Sequence, residues 1–147
     1  MAEGLLVVGS EAPVFEAATE GGERVSLADF RGRGSVLLMF YPVDDTPGCT
    51  AQMCAARDEG AEYAAAGIVR FGVNPGDAAS HQSFASKYTL DFPLIVDEGG
   101  AIASAYGVMR PDGYTGRATY LIGRDGRIAY AAAGAHGAAE ILGAVGG

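Results

Sequence analysis

The sequence predicts an α/β sandwich, with one mixed β-sheet carrying helices on both faces and a small β-hairpin at its N-terminal end. Val36-Leu37-Leu38-Met39-Phe40-Tyr41 is a continuous apolar run closed by Pro42, the pattern of a central strand buried on both faces. A helical stretch and a second strand-like run, Ile68 to Val73, follow it. Together they form a βαβα unit, whose strands should lie parallel with a right-handed crossover. Ala118 to Ile122 and Arg127 to Ala131 alternate around the turn Gly123-Arg124-Asp125-Gly126 and add two further strands to the sheet.

The first thirty residues read as the hairpin, turning at Glu20-Gly21-Gly22. After the central strand a helix should run from about Cys49 to Ala65. Met53, Ala56, Gly60, Ala61 and Ala64 recur every three to four residues, and Gly67 stands where a C-terminal cap belongs. The second strand leads through Asn74-Pro75-Gly76-Asp77 into a helix ending near Tyr88. Phe92-Pro93-Leu94-Ile95-Val96 is a short strand introduced by an X-Pro step, and Gly100 to Tyr106 a short helix. His136 to Gly147 forms a last short helix, frayed by the glycines at its end.

A length of 147 residues, with 49% hydrophobic and 19% charged composition, fits one compact domain over residues 1–147. The net charge of -8 and pI near 4.6 disfavour nucleic acid and anionic membrane surfaces, which select basic faces. The N-terminus has no basic region and too short an apolar run for a signal peptide, and no later run is long enough to span a bilayer. A soluble cytoplasmic protein is expected. In that reducing setting its two cysteines should be catalytic or metal-binding rather than a permanent staple.

Both cysteines, Cys49 and Cys54, lie at the start of the first helix. A free thiol has a pKa near 8.5, and a helix N-terminus lowers it toward the range where the thiolate dominates. With Cys49 as the first helical residue, Cys54 is one and a half turns on, their Cα atoms roughly 8 to 9 Å apart and their side chains about 140° apart around the axis. A disulfide needs less than about 7 Å, so no bond forms between them while the helix is intact. A structural disulfide would distort the helix permanently. A zinc site would need four ligands, and His81 and His136 lie without the spacing of such a set. A reversible bond, formed after Cys49 is oxidised and the helix opens, is the third reading. Gly48 lets the backbone turn its amides toward the sulfur, Thr46 can place a hydroxyl beside it, and Pro42 and Pro47 stiffen the loop. An ordinary helix start with a capping hydroxyl accounts for the same residues equally well.

Pro42-x-x-x-Thr46-x-x-Cys49 resembles the active-site motif of the peroxiredoxins. The longer run Phe40-Tyr41-Pro42-x-Asp44-Asp45-Thr46-Pro47-Gly48-Cys49-Thr50-x-Gln52-x-Cys54-x-x-Arg57-Asp58 is similar to the bacterioferritin comigratory protein or peroxiredoxin Q subgroup. Gly72-Val73-Asn74, Ser80-His81-x-x-Phe84-Ala85-x-Lys87-Tyr88, Phe92-Pro93-Leu94 and Arg117-Ala118-Thr119-Tyr120-Leu121-Ile122 follow in the family's order. The resemblance implies a thioredoxin-like fold and an antioxidant thiol peroxidase that reduces hydrogen peroxide and organic hydroperoxides without a metal or other cofactor. On that pattern Cys49 is the peroxidatic cysteine and is oxidised to a sulfenic acid. Cys54 resolves it as an intramolecular disulfide, and thioredoxin or a similar dithiol reduces the bond. Arg117 would hold the thiolate and the peroxide, Thr46 would hydrogen-bond both, and Pro42 would shield the pocket. A resolving cysteine within the same chain implies a monomer.

From the residues alone, Gln52 is either a pocket contact or a solvated helix position. His81 reads as a surface residue at a helix start, Asp44 and Asp45 as solvated loop carboxylates, and Phe40 and Tyr41 as core and pocket wall. Gly123 and Asn74 depart from the family pattern, which favours an acidic residue and serine there. Two other functions stay open: a disulfide reductase, for which the usual Cys-x-x-Cys is missing, and a redox-sensing or holdase-type binding protein that uses the opened helix.

Overall fold

In a computed structural model, which describes residues 4–145, seven strands form one sheet in the order β2-β1-β5-β4-β3-β6-β7. In chain order these are β1 (Glu16–Thr19), β2 (Arg24–Ser26), β3 (Ser35–Phe40), β4 (Ile68–Asn74), β5 (Leu94–Val96), β6 (Ala118–Ile122) and β7 (Ile128–Ala133). The helices are α1 (Pro47–Asp58), α2 (Gly60–Ala65), α3 (Ala78–Lys87), α4 (Ala101–Ala105) and α5 (Ala138–Ala144). β3, β4 and β5 run parallel, as the βαβα reading expects, and β6 and β7 add the antiparallel pair. The N-terminal hairpin is part of the same sheet, because β1 pairs antiparallel with β5.

Strand alternation divides the core in two. Val36, Leu38 and Phe40 of β3 face one layer, which also holds Phe71, Ile95, Ile102, Tyr106 and Tyr120. Leu37, Met39 and Tyr41 face the other, where they meet Cys49, Met53, Tyr63, Phe84 and Ile141. α4 thus covers the first face, while α1, α2, α3 and α5 cover the second. This is the α/β sandwich expected; the strand read as central, β3, is an interior strand between β4 and β6, and β4 holds the middle of the sheet.

The single helix expected from Cys49 to Ala65 is two helices. Glu59, at φ −94° and ψ 12°, leaves helical geometry and ends α1. Gly60 opens α2, and a Cβ there would lie 2.9 Å from an Arg70 guanidinium nitrogen, so the bare backbone makes room for that cation. The break resets the helical register. Tyr63 is buried in place of Ala61 and Ala64, which are exposed. Gly67 does end α2 with a positive φ of 74°. The tail is more ordered than its glycines imply, because Ala138 and Ile141 are buried against the second core layer; Gly146 and Gly147 lie outside the described residues. No helix among the described residues is long and apolar enough to cross a membrane.

Candidate active site

α1 begins one residue pair earlier than expected. Thr46 is its N-cap, Pro47 its first residue and Cys49 its third. Proline suits the first position because its missing N–H would be unpartnered there anyway. The Thr46 hydroxyl does not cap the helix. It donates to the Val43 carbonyl at 3.0 Å, so the free first-turn amides have no side-chain partner. The helix N-terminus therefore keeps its unpaired donors and partial positive charge on the turn that carries Cys49.

Cys49 is buried, and Cys54 is half-buried; both are free. The two lie within one unbroken helix, the arrangement in which they cannot bond. Arg117, on the approach to β6, reaches across to the same point. One of its guanidinium nitrogens donates to Cys49 Sγ at 3.4 Å and another to Gln52 Oε1 at 2.5 Å. Gln52 is buried rather than solvated, and its amide also donates to the Phe40 carbonyl at 3.4 Å. The side chain therefore braces Arg117 against the end of β3. Spacing alone puts Gln52 on the Cys49 face of α1, one turn on; its partner comes from 65 residues away.

Gly48 serves a different purpose from the one its position in the motif suggests. Its φ is not positive, but a Cβ there would lie 3.0 Å from the Arg117 guanidinium. The missing side chain opens the path between arginine and sulfur.

Upstream of the helix, a polar cluster holds the loop. Tyr41 Oη donates to Asp44 at 2.7 Å, and the other Asp44 carboxylate oxygen accepts from Ser80 Oγ at 2.7 Å and lies 2.6 Å from His81 Nδ1. His81 is fully buried and Asp44 nearly so, which corrects the expectation of a surface histidine and a solvated carboxylate. Their partners lie 37 residues apart, so no local pattern could reveal them. Burial, and after it the neighbouring carboxylate, raises the Tyr41 pKa far above its ordinary value, and the phenol stays protonated as a donor. Asn74 donates to the carbonyls of Tyr41 and Pro42 at 2.8 and 2.7 Å, which fixes half-buried Pro42. Asp45 takes a left-handed φ of 57°, tolerable for an aspartate, and its carboxylate accepts from Lys87 at 2.8 Å and Tyr88 at 2.6 Å.

Along α1 lies an open cavity of about 260 Å³, bordered by Gly48, Gln52, Glu59, Thr119 and His136. Gly123, one of the departures from the family pattern, is remote from this constellation; it donates to Arg127 in the β6–β7 turn.

Residues 8–131 match the AhpC/TSA family. The chain is 41% identical to the "Putative peroxiredoxin bcp" of Coxiella burnetii over 82% of its own length and 84% of that protein. It is 44% identical to the chloroplastic peroxiredoxin Q of Triticum aestivum, over 83% of this chain and 57% of the relative, so it spans little more than half of that protein. The crystal structure of peroxidoxin BcpB from Mycobacterium tuberculosis superimposes with a TM-score of 0.84 at 27% identity, covering 94% of this chain and 95% of the other.

Proposed function

The chain belongs to the AhpC/TSA family and is a peroxiredoxin, a thiol-dependent peroxidase with a thioredoxin-like fold, and from that premise we propose that Cys49 is the thiol that attacks the hydroperoxide. The observation that carries this assignment is the contact of Arg117 with Cys49 Sγ, at the start of a helix whose first-turn amides have no side-chain cap. A fixed cation offering N–H donors suits both a thiolate and a departing oxygen anion.

In the first step the Cys49 thiolate attacks the terminal peroxide oxygen, the O–O bond breaks, and the leaving oxygen takes a proton. The products are a sulfenic acid and water or an alcohol. Arg117 supports the charge that builds on the separating oxygens. Gln52 holds Arg117 in place, and Pro42, pinned through its carbonyl, takes the shielding role in this reading. Because the Thr46 hydroxyl spends its hydrogen on the Val43 carbonyl, its lone pairs remain to accept the peroxide O–H. Of the two bonds the motif leads one to expect, to the peroxide and to the thiolate, this keeps the one to the peroxide.

In the second step α1 opens locally, Cys54 attacks the sulfenic sulfur, water leaves, and an intramolecular disulfide forms. Two electrons from thioredoxin or a similar dithiol restore both thiols. The continuous sheet supports one domain over residues 1–147, and the resolving thiol within the chain supports a monomer acting in the cytoplasm on hydrogen peroxide and organic hydroperoxides.

Intact-mass analysis after one equivalent of hydrogen peroxide tests the assignment. Wild type should lose two hydrogens, Cys54→Ser should gain one oxygen and stop, and Cys49→Ser should leave the peroxide unconsumed. Turnover by Cys49→Ser would overturn it.

A further inference from the structure

We propose that His81 and Asp44 are positioning residues for Cys49, a buried imidazolium–carboxylate pair that fixes the loop from which α1 starts. The inference rests on the assignment of Cys49 as the attacking thiol.

The protonation state follows from the partners. His81 Nδ1 faces a carboxylate oxygen at 2.6 Å, and His81 Nε2 faces the carbonyls of Asn74 and Ile95, each at 3.1 Å. All three partners accept hydrogen bonds only. A neutral imidazole carries a single N–H and would set one ring nitrogen's lone pair against an oxygen; the imidazolium donates from both. The cluster is also built tightly. A Cβ on Gly76 would lie 2.9 Å from Asn74 Oδ1, 3.2 Å from His81 Cε1 and 3.4 Å from Asp44 Oδ2, so only a bare backbone closes over all three.

The cluster ties β4, β5 and α3 to the loop ahead of the cysteine. The segment from Asn74 to His81 holds the Tyr41 and Pro42 carbonyls and the Asp44 carboxylate. Only Asp45 then separates Asp44 from Thr46, the N-cap of α1. Removing the pair frees the loop to shift the first turn of α1, with Cys49, relative to Arg117, whose backbone enters from the edge of β6. A misplacement of about 1 Å at reacting atoms costs on the order of 10²-fold in rate.

The groups around His81 set its pH range. The loop contributes Asp44 and, behind it, the Tyr41 phenol. α3 contributes Ser80, with Asp77 turned to the Ser80 amide. β4 and β5 present only carbonyls, and Glu20 is engaged by the Leu94 amide. Burial is the largest single influence and opposes the charge on His81, but the Asp44 hydrogen bond and charge, together with the two carbonyls, raise its pKa above the ordinary value. Burial likewise opposes the Asp44 charge, and the bonds from His81, Ser80 and Tyr41 overcome it, so its pKa is lowered. The paired state therefore holds across neutral pH. It is lost as pH rises through the raised His81 value, or falls through the depressed Asp44 value.

The test is the second-order rate of Cys49 oxidation by hydrogen peroxide, measured against pH for wild type, His81→Gln and Asp44→Asn, with thermal unfolding recorded alongside. Both variants should be folded at the assay temperature and react about 10- to 100-fold more slowly. The alkaline decline of the wild type should be absent from His81→Gln, which has no charge to lose. Wild-type rate and an unchanged alkaline decline in that variant would overturn the proposal. Should neither variant fold, the ¹⁵N spectrum of His81 in the wild-type protein decides: both ring nitrogens protonated at neutral pH is expected, and a single N–H would overturn it. A wild type that leaves peroxide untouched removes the Cys49 assignment, and the positioning role with it. Fast wild type with equally fast variants removes the positioning role alone.

Discussion

The two halves of α1 are held in different ways. From Pro47 to Gln52 the polar ties to the rest of the molecule converge on a single residue, Arg117, which touches Cys49 and Gln52; the additional bond from Gln52 to the Phe40 carbonyl is long. From Met53 onward the ties are dispersed. Met53 and Ala56 are buried in the core, Arg70 donates to the Ala56 carbonyl at 2.8 Å, Arg57 to the Tyr88 carbonyl at 2.6 Å, and Glu59 accepts from the Ala138 amide at 3.2 Å. The first half hangs on a group that contacts the sulfur itself. On the proposed mechanism, oxidation of Cys49 changes that contact, so the chemistry reaches one of the two bonds by which Arg117 holds the first turns. The second half is fastened to β4, to the end of α3 and to α5. Cys54 sits just inside it, and on the proposed mechanism it is the fixed partner toward which Cys49 moves.

The sharpest way to break this contrast is Arg117→Ala. It removes both ties of the first half and the charge beside the sulfur, and should lower the oxidation rate by about 10²- to 10³-fold. Amide exchange should rise from residue 48 to 52 and stay unchanged beyond 55. Arg117→Lys should restore little, because one ammonium cannot bridge Cys49 Sγ and Gln52 Oε1 as the planar fork does. Equal exchange along the whole helix in Arg117→Ala would contradict the division.

Arg70→Ala attacks the other half. Arg70 is mostly buried, bonded to Ala56 and Asp91 and set over the Phe92 ring, so its loss should cost about 1–3 kcal/mol in chemical denaturation. The initial oxidation rate should stay within about threefold, while exchange at residues 55 to 58 approaches that of the first turns. A large fall in oxidation rate with stability intact would refute the separation of the halves.

The smallest effect belongs to Glu59→Gln, which weakens a carboxylate placed at the start of α5. About 0.3–1 kcal/mol of stability is expected, read as a small fall in the unfolding midpoint. A loss of several kcal/mol would mean that the α1–α5 tie matters more than the core contacts of Met53.

Much of this molecule could be read from the chain. The uninterrupted apolar run at β3, the antiparallel pair around Gly123 to Gly126, and Cys49 at the head of a helix are local patterns with local causes, and Gln52 lies on the Cys49 face by helical spacing alone. The break at Glu59 was not legible, because the apolar spacing continues through Gly60. Arg70, folded in from β4, occupies the space beside Gly60, and Tyr63 takes the buried position.

The sequence by itself determined the succession of strands, the cysteine at the start of α1 and the intact-helix separation of Cys49 from Cys54, since each depends on spacing along the backbone. The tertiary structure decided which groups meet. Arg117 reaches Cys49 across 68 residues of chain and needs the empty volume of Gly48 to do so, and His81 meets Asp44 across 37. Such pairings depend on how strands register in the sheet and on which face each helix settles. A charge that looks solvated in the chain becomes a buried partner only when the fold has placed its acceptor beside it.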